Sequence, residues 1–220
     1  MKKLFLAIVV ITFVFSCRRT EEQSVDENNF FMEPQPINDS ELSKIPARFQ
    51  GKFMSNDSIY INIAKNGIIQ EYDYKFKVSK TALDSLKGEF EITDKKIITK
   101  EVGKAYNYRF LKDSVELSEK RIDTIFMFSD HQKAKRIDNK LILNFKDSLF
   151  WNIRTISIQN DNLTMSQISD FADLKQLDSI TVIKSKMIDS TRILLNPSRR
   201  EFKKIINIKN AGLKVNYRKL

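Results

Sequence analysis

A mainly β fold, an antiparallel β-meander arranged as a sandwich or a barrel-like sheet, is predicted by three features of the sequence. Apolar and polar residues alternate with period two in many short runs, turn-forming residues separate the runs, and the connections are too brief for parallel crossovers. Two helices are expected beside the sheet, a short one near 170–177 and a C-terminal one from about residue 198.

Taken in order, residues 17–40 are expected to form a flexible acidic tether. Arg18 to Ser40 is polar, carries Pro34 and Pro36, and offers little to bury beyond Phe30, Phe31 and Met32, so burial cannot offset its ordering entropy. Residues 41–220 are expected to be a single β-rich domain. Ile59, Ile61 and Ile63 share one side of a strand, with Tyr60 and Asn62 on the other. Residues 68–78 then alternate throughout, and Asn66-Gly67 before them is a strong hairpin signal. Further strands are expected near 89–93, 96–101, 105–111, 114–118, 122–128, 140–145, 149–159, 162–168, 179–188 and 191–195.

The helical stretches break this rhythm. Phe171, Leu174 and Leu177 recur three apart, which suits a short helix over one end of the sheet. Pro197 followed by Ser198-x-x-Glu201 is a capping box. Behind it, Phe202, Ile205 and Ile206 form an apolar stripe while Arg199, Arg200, Lys203 and Lys204 face outward.

Several chemistries lack their side chains. His131 is the only histidine and Cys17 the only cysteine, so disulfides, CxxC redox pairs and three- or four-ligand zinc sites are not expected. The five glycines are scattered, which leaves no phosphate-cradling loop. His131 lies in the polar run Asp130-His131-Gln132-Lys133, with no GxSxG elbow in the chain. No catalytic residues, cofactor or metal site are expected. Asp followed by Ser or Thr recurs at Asp57, Asp84, Asp113, Asp123, Asp147, Asp178 and Asp189. These read as turn caps, and their spacing suggests repeated two- or three-strand units. Trp151 and the sixteen phenylalanines read as core filling. The formal charge is +10, and residues 192–220 carry nine basic side chains against one acidic.

The amino terminus sets the compartment. Lys2 and Lys3 precede an apolar run from Leu4 to Phe15, too short for a bilayer span but matched to a secretory signal. The run ends in Val14-Phe15-Ser16-Cys17, which resembles the lipobox of bacterial lipoproteins. That resemblance implies a signal peptide over residues 1–16, cleavage before Cys17, and lipid attachment at Cys17. Two or three acyl chains anchor stably where one does not, at about 0.8 kcal/mol per buried methylene. Arg18 beside the cysteine implies, by the same resemblance, the outer membrane.

Phe49-Gln50-Gly51-Lys52-Phe53 is similar to the G-x-aromatic start of lipocalin-like barrels, a family whose barrel holds a small apolar ligand. The chain is thus expected to be a lipid-anchored cell-envelope protein with a binding or structural role rather than an enzyme. The alternative is a lipocalin-like carrier of a small hydrophobic ligand. Expected partners are the membrane, through the acyl chains, and then anionic lipid, lipopolysaccharide or another envelope protein through the basic C-terminus. Nucleic acid is not expected.

Overall fold

Cross-strand pairing links nearly every strand to its chain neighbour. The computed structural model describes residues 29–167, 186–187, 193–208 and 212–220. Its early strands are β1 (Asn29–Phe31), β2 (Gly51–Ser55), β3 (Tyr60–Ala64), β4 (Gly67–Ser79), β5 (Phe90–Ile92), β6 (Lys96–Thr99), β7 (Ala105–Phe110) and β8 (Ser114–Met127). The later ones are β9 (Gln132–Ile137), β10 (Lys140–Asp147), β11 (Phe150–Gln159), β12 (Asn162–Gln167), β13 (Lys186–Met187), β14 (Ile193–Leu195) and β15 (Leu213–Lys219). Helices α1 (Lys80–Ser85) and α2 (Arg199–Ile205) complete the elements used below.

Twelve strands follow one antiparallel path, β9-β10-β11-β12-β15-β2-β3-β4-β8-β7-β6-β5. Three runs of it, β2 to β4, β5 to β8 and β9 to β12, are meanders as expected. The sheet is mainly β and open, and a branch departs from pure antiparallel order. β1 pairs with β11 at Phe31↔Trp151 and lies parallel to β14 on its other side.

The sheet curls around one core. Phe53 of β2, Ile61 and Ile63 of β3, Phe126 of β8, Leu141 and Leu143 of β10 and Tyr217 of β15 belong to a single buried cluster. Strands far apart along the sheet therefore face one another. Segment 42–49 plugs and stitches this body. Leu42 bridges Ala134 of β9, the Ile45 N–H donates to the Lys65 carbonyl, and Ile45 and Phe49 are buried in the same cluster. Each fully buried Phe or Ile contributes roughly 1.5–3 kcal/mol.

β10 and β11 are covered on both faces. Leu141 and Leu143 point into the main core, while Ile142, Trp151 and Ile153 join Phe31, Leu195, Phe202 and Ile205 in a second cluster. Phe31 meets Phe202 edge-on at 5.9 Å. A third, smaller cluster of Leu83, Ile97, Val115 and Leu117 lies at the far end, where α1 covers β4 to β8.

Several expectations change. The outer part of the expected tether, residues 29–40, belongs to the folded body: Phe31 is buried, and Gln35 is locked to Asn144 of β10. The C-terminal helix exists with its capping box, but it spans only Arg199–Ile205, and the chain continues as β15 between β12 and β2. The two strands expected at 114–118 and 122–128 are one, because β8 pairs with β4 through its charged middle. β9 and α1 were not expected from the sequence. Among the described Asp-Ser/Thr sites, Asp57 and Asp113 lie in strand-joining turns and Asp147 precedes one, whereas Asp84 lies in α1 and Asp123 within β8, so these five share no structural position. The helix expected near 170–177 and Asp178 and Asp189 lie outside the described residues.

Candidate functional site

The long pair β4 and β8 carries one face out of the main core and into the small one. Along that face Ile68 opposes Phe126 in the main core, and Phe76 opposes Leu117 in the small one. Between them the face turns polar, with the pairs Gln70↔Asp123, Tyr72↔Arg121 and Tyr74↔Glu119. A register shift at Ile68/Ile69 leaves Ile125 as the extra residue of β8. Such bulges bend a strand and re-aim its neighbours, often beside binding sites.

The polar belt is held by a charged network. Arg121 donates from Nε and Nη2 to Glu119 Oε1 at 2.8 and 2.6 Å, and its guanidinium lies 3.8 Å from the Tyr74 ring centroid. Lys104 Nζ meets Glu119 Oε2 at 2.7 Å. Burial alone would raise the Glu119 carboxyl, but hydrogen bonds from Lys104 and Arg121 outweigh it and hold it below the ordinary carboxylate value. The same hydrogen bond raises Lys104. At the inner end of the belt, Tyr72 OH donates to Asp123 Oδ2 at 2.9 Å.

Beside Asp123 opens a cleft of about 400 Å³. β8 supplies Asp123, Thr124 and Ile125, β10 supplies Phe145, Lys146 and Asp147, and β11 supplies Asn152 and Arg154. The register Phe145↔Asn152 and Leu143↔Arg154 puts Asn152 and Arg154 on the core-facing side of β11, beyond the last apolar layer at Ile156. Asn152 is buried and Arg154 half-buried. Arg154 Nε donates to Gln167 Oε1 at 3.0 Å, and its guanidinium lies 5.3 Å from the Phe145 ring centroid. Its terminal nitrogens make no hydrogen bond among the described residues. The cleft thus carries an acidic wall on β8 and a guanidinium wall on β11. Opposite charges there can hold a ligand.

The sequence-derived candidates fall elsewhere. Cys17 lies outside the described residues. His131 is exposed in the β8–β9 turn, where its backbone N–H donates to Ser129 Oγ at 3.3 Å and its carbonyl accepts from Lys146 N–H. Trp151 fills the second core cluster. On α2, Arg199 pairs with Asp39 at 2.7 Å and Lys203 with Asp138 at 3.0 Å. The basic face is thus partly neutralised by the body beneath it. Among the described residues no group of three or more His, Cys, Asp or Glu could hold a metal ion. No helix among them is long and apolar enough to cross a membrane.

Asp123, Asn152 and Arg154 were not singled out from sequence as binding residues. One signal existed: Asn152 and Arg154 occupy alternate positions whose continuation is Ile156 and Ile158, a polar interruption of a core-facing register. No family model, curated protein or solved structure matches this chain.

Proposed function

We propose that this is a lipid-anchored cell-envelope protein, attached through Cys17 to the outer membrane, whose β body acts as a non-enzymatic binding module. The observation that carries the module reading is the filled interior. Phe49, Phe53, Ile61, Phe126 and Leu141 are each at most 1% exposed, and the cleft lies beyond them and is polar. A carrier of a small hydrophobic ligand needs an apolar hollow where these side chains pack. The attachment rests on the lipobox-like Val14-Phe15-Ser16-Cys17.

With β1 starting at Asn29, the segment between Cys17 and the body would span at most about 38 Å extended and nearer 18 Å as a coil. The body stays close to its membrane and engages partners at short range. The pairing of Arg199 and Lys203 with aspartates favours an envelope protein over anionic lipid or lipopolysaccharide as that partner. Crosslinking in the native envelope followed by pull-down should recover a defined protein, and a fluorescent fatty acid should show no saturable uptake. Stoichiometric fatty-acid binding with no crosslinked partner would replace this reading with the carrier.

A further inference from the structure

We infer that the cleft between β8 and β11 binds a zwitterion of the amino-acid or short-peptide class, with its carboxylate on Arg154 and its ammonium on Asp123. This rests on the binding-module reading and names its ligand chemistry. Arg154 is fixed from two sides, by the 3.0 Å hydrogen bond from Nε to Gln167 and by the Phe145 ring beneath the guanidinium. Those contacts hold the guanidinium in place with its terminal nitrogens not hydrogen-bonded among the described residues, and such a fork can take a carboxylate through two parallel hydrogen bonds. Holding the fork in place beforehand lowers the ordering cost of binding.

The opposite wall selects against a simple anion. Asp123 Oδ2 accepts from Tyr72 OH, which orients the carboxylate and leaves its acceptor capacity for a cationic donor. The rim adds Asp147, while the Lys146 ammonium lies 5.9 Å from the Trp151 ring on the other face of the sheet, so the Arg154 guanidinium shares the opening with two carboxylates. A phosphate or sulfate would gain at Arg154 and meet two carboxylates. A lone cation would gain at Asp123 and meet the Arg154 guanidinium. A molecule carrying both charges gains at both walls. About 400 Å³ is room for a small molecule rather than a folded segment.

The test is a titration of the full-length protein in detergent with glycine, diglycine and triglycine, followed by calorimetry and by the shift in melting temperature. At least one should bind saturably. N-acetylation or C-terminal amidation of that ligand should each weaken binding about tenfold or more, the scale of one charge-assisted hydrogen bond. Arg154→Met and Asp123→Asn should weaken it to a similar extent, with Arg154→Lys falling between Met and wild type. Melting temperatures of the ligand-free variants separate lost binding from lost folding. No saturable binding by any of the three, unchanged affinity of the blocked ligands, or wild-type affinity in both Arg154→Met and Asp123→Asn would overturn the inference. None of these results bears on attachment at Cys17 or on recovery of a protein partner, which stand or fall separately.

Discussion

Asn144 is fully buried on β10, and its amide accounts for the docking of residues 31–40. Oδ1 accepts from the Gln35 N–H at 2.6 Å, and Nδ2 donates to the carbonyls of Gln35 at 2.9 Å and Lys133 at 3.3 Å. Lys135, also buried, spends its ammonium protons on the carbonyls of Pro34 and Pro36, both at 2.9 Å. Burial lowers the Lys135 pKa, yet those two carbonyls keep the side chain inside. Asn144→Leu would leave the Gln35 N–H and carbonyl without partners in the interior and should destabilise the protein by about 2–3 kcal/mol. The urea midpoint, with hydrogen exchange at Gln35, checks this. Glu119 gives a pH test. Its folded pKa is depressed, so its contribution is present above the unfolded carboxylate value and is lost as pH falls through the folded one. Glu119→Gln should therefore lose stability at neutral pH while narrowing its difference from wild type near about pH 3. The urea midpoint at the two pH values reads the difference, and an equal deficit at both would contradict the assignment.

At the scale of elements, the β3–β4 hairpin was legible from Asn66-Gly67, but for a different physical reason. Ala64 pairs with Gly67, so Lys65 and Asn66 form the turn, and neither Asn66 nor Gly67 takes a left-handed φ. Glycine is required because a Cβ there would stand 2.7 Å from the Phe126 carbonyl oxygen on β8. Gly67→Ala should cost about 1–3 kcal/mol through overpacking. Gly88→Ala, with nothing within 4 Å of its built Cβ, should stay within about 0.5 kcal/mol of wild type; thermal melts of the two variants check the contrast. The elements that escaped the sequence have related explanations. β9, with only Ala134 and Ile137 as apolar contributions and a buried lysine, reads as a loop until the carbonyls of Pro34 and Pro36 are in place. β15 alternates Leu213, Val215 and Tyr217 among basic residues, and only its insertion between β12 and β2 makes it a strand.

For the whole molecule, the β class, most strand positions and the capped helix followed from local pattern. The curl of the sheet, the docking of residues 29–40 and the cleft did not, because each depends on segments that only tertiary pairing brings together. The cleft is the clearest case. Asp123 sits in an Asp-Thr pair that looks like a turn, and Arg154 sits in a strand that looks like core. Only the bulge in β8 and the register of β10 with β11 bring them to one opening. At this scale the proposed role joins a filled β body, a polar cleft at its edge and a leader that ends in Cys17 into an anchored binding module. The proposed attachment at Cys17 is the part on which the proposed cellular role turns. Intact-mass measurement of the protein purified from its native membrane tests it directly. The expected result is a chain that begins at Cys17 and carries the added mass of two or three acyl groups. A chain that retains Met1, or one that begins at Cys17 or beyond with no acyl mass, would contradict it.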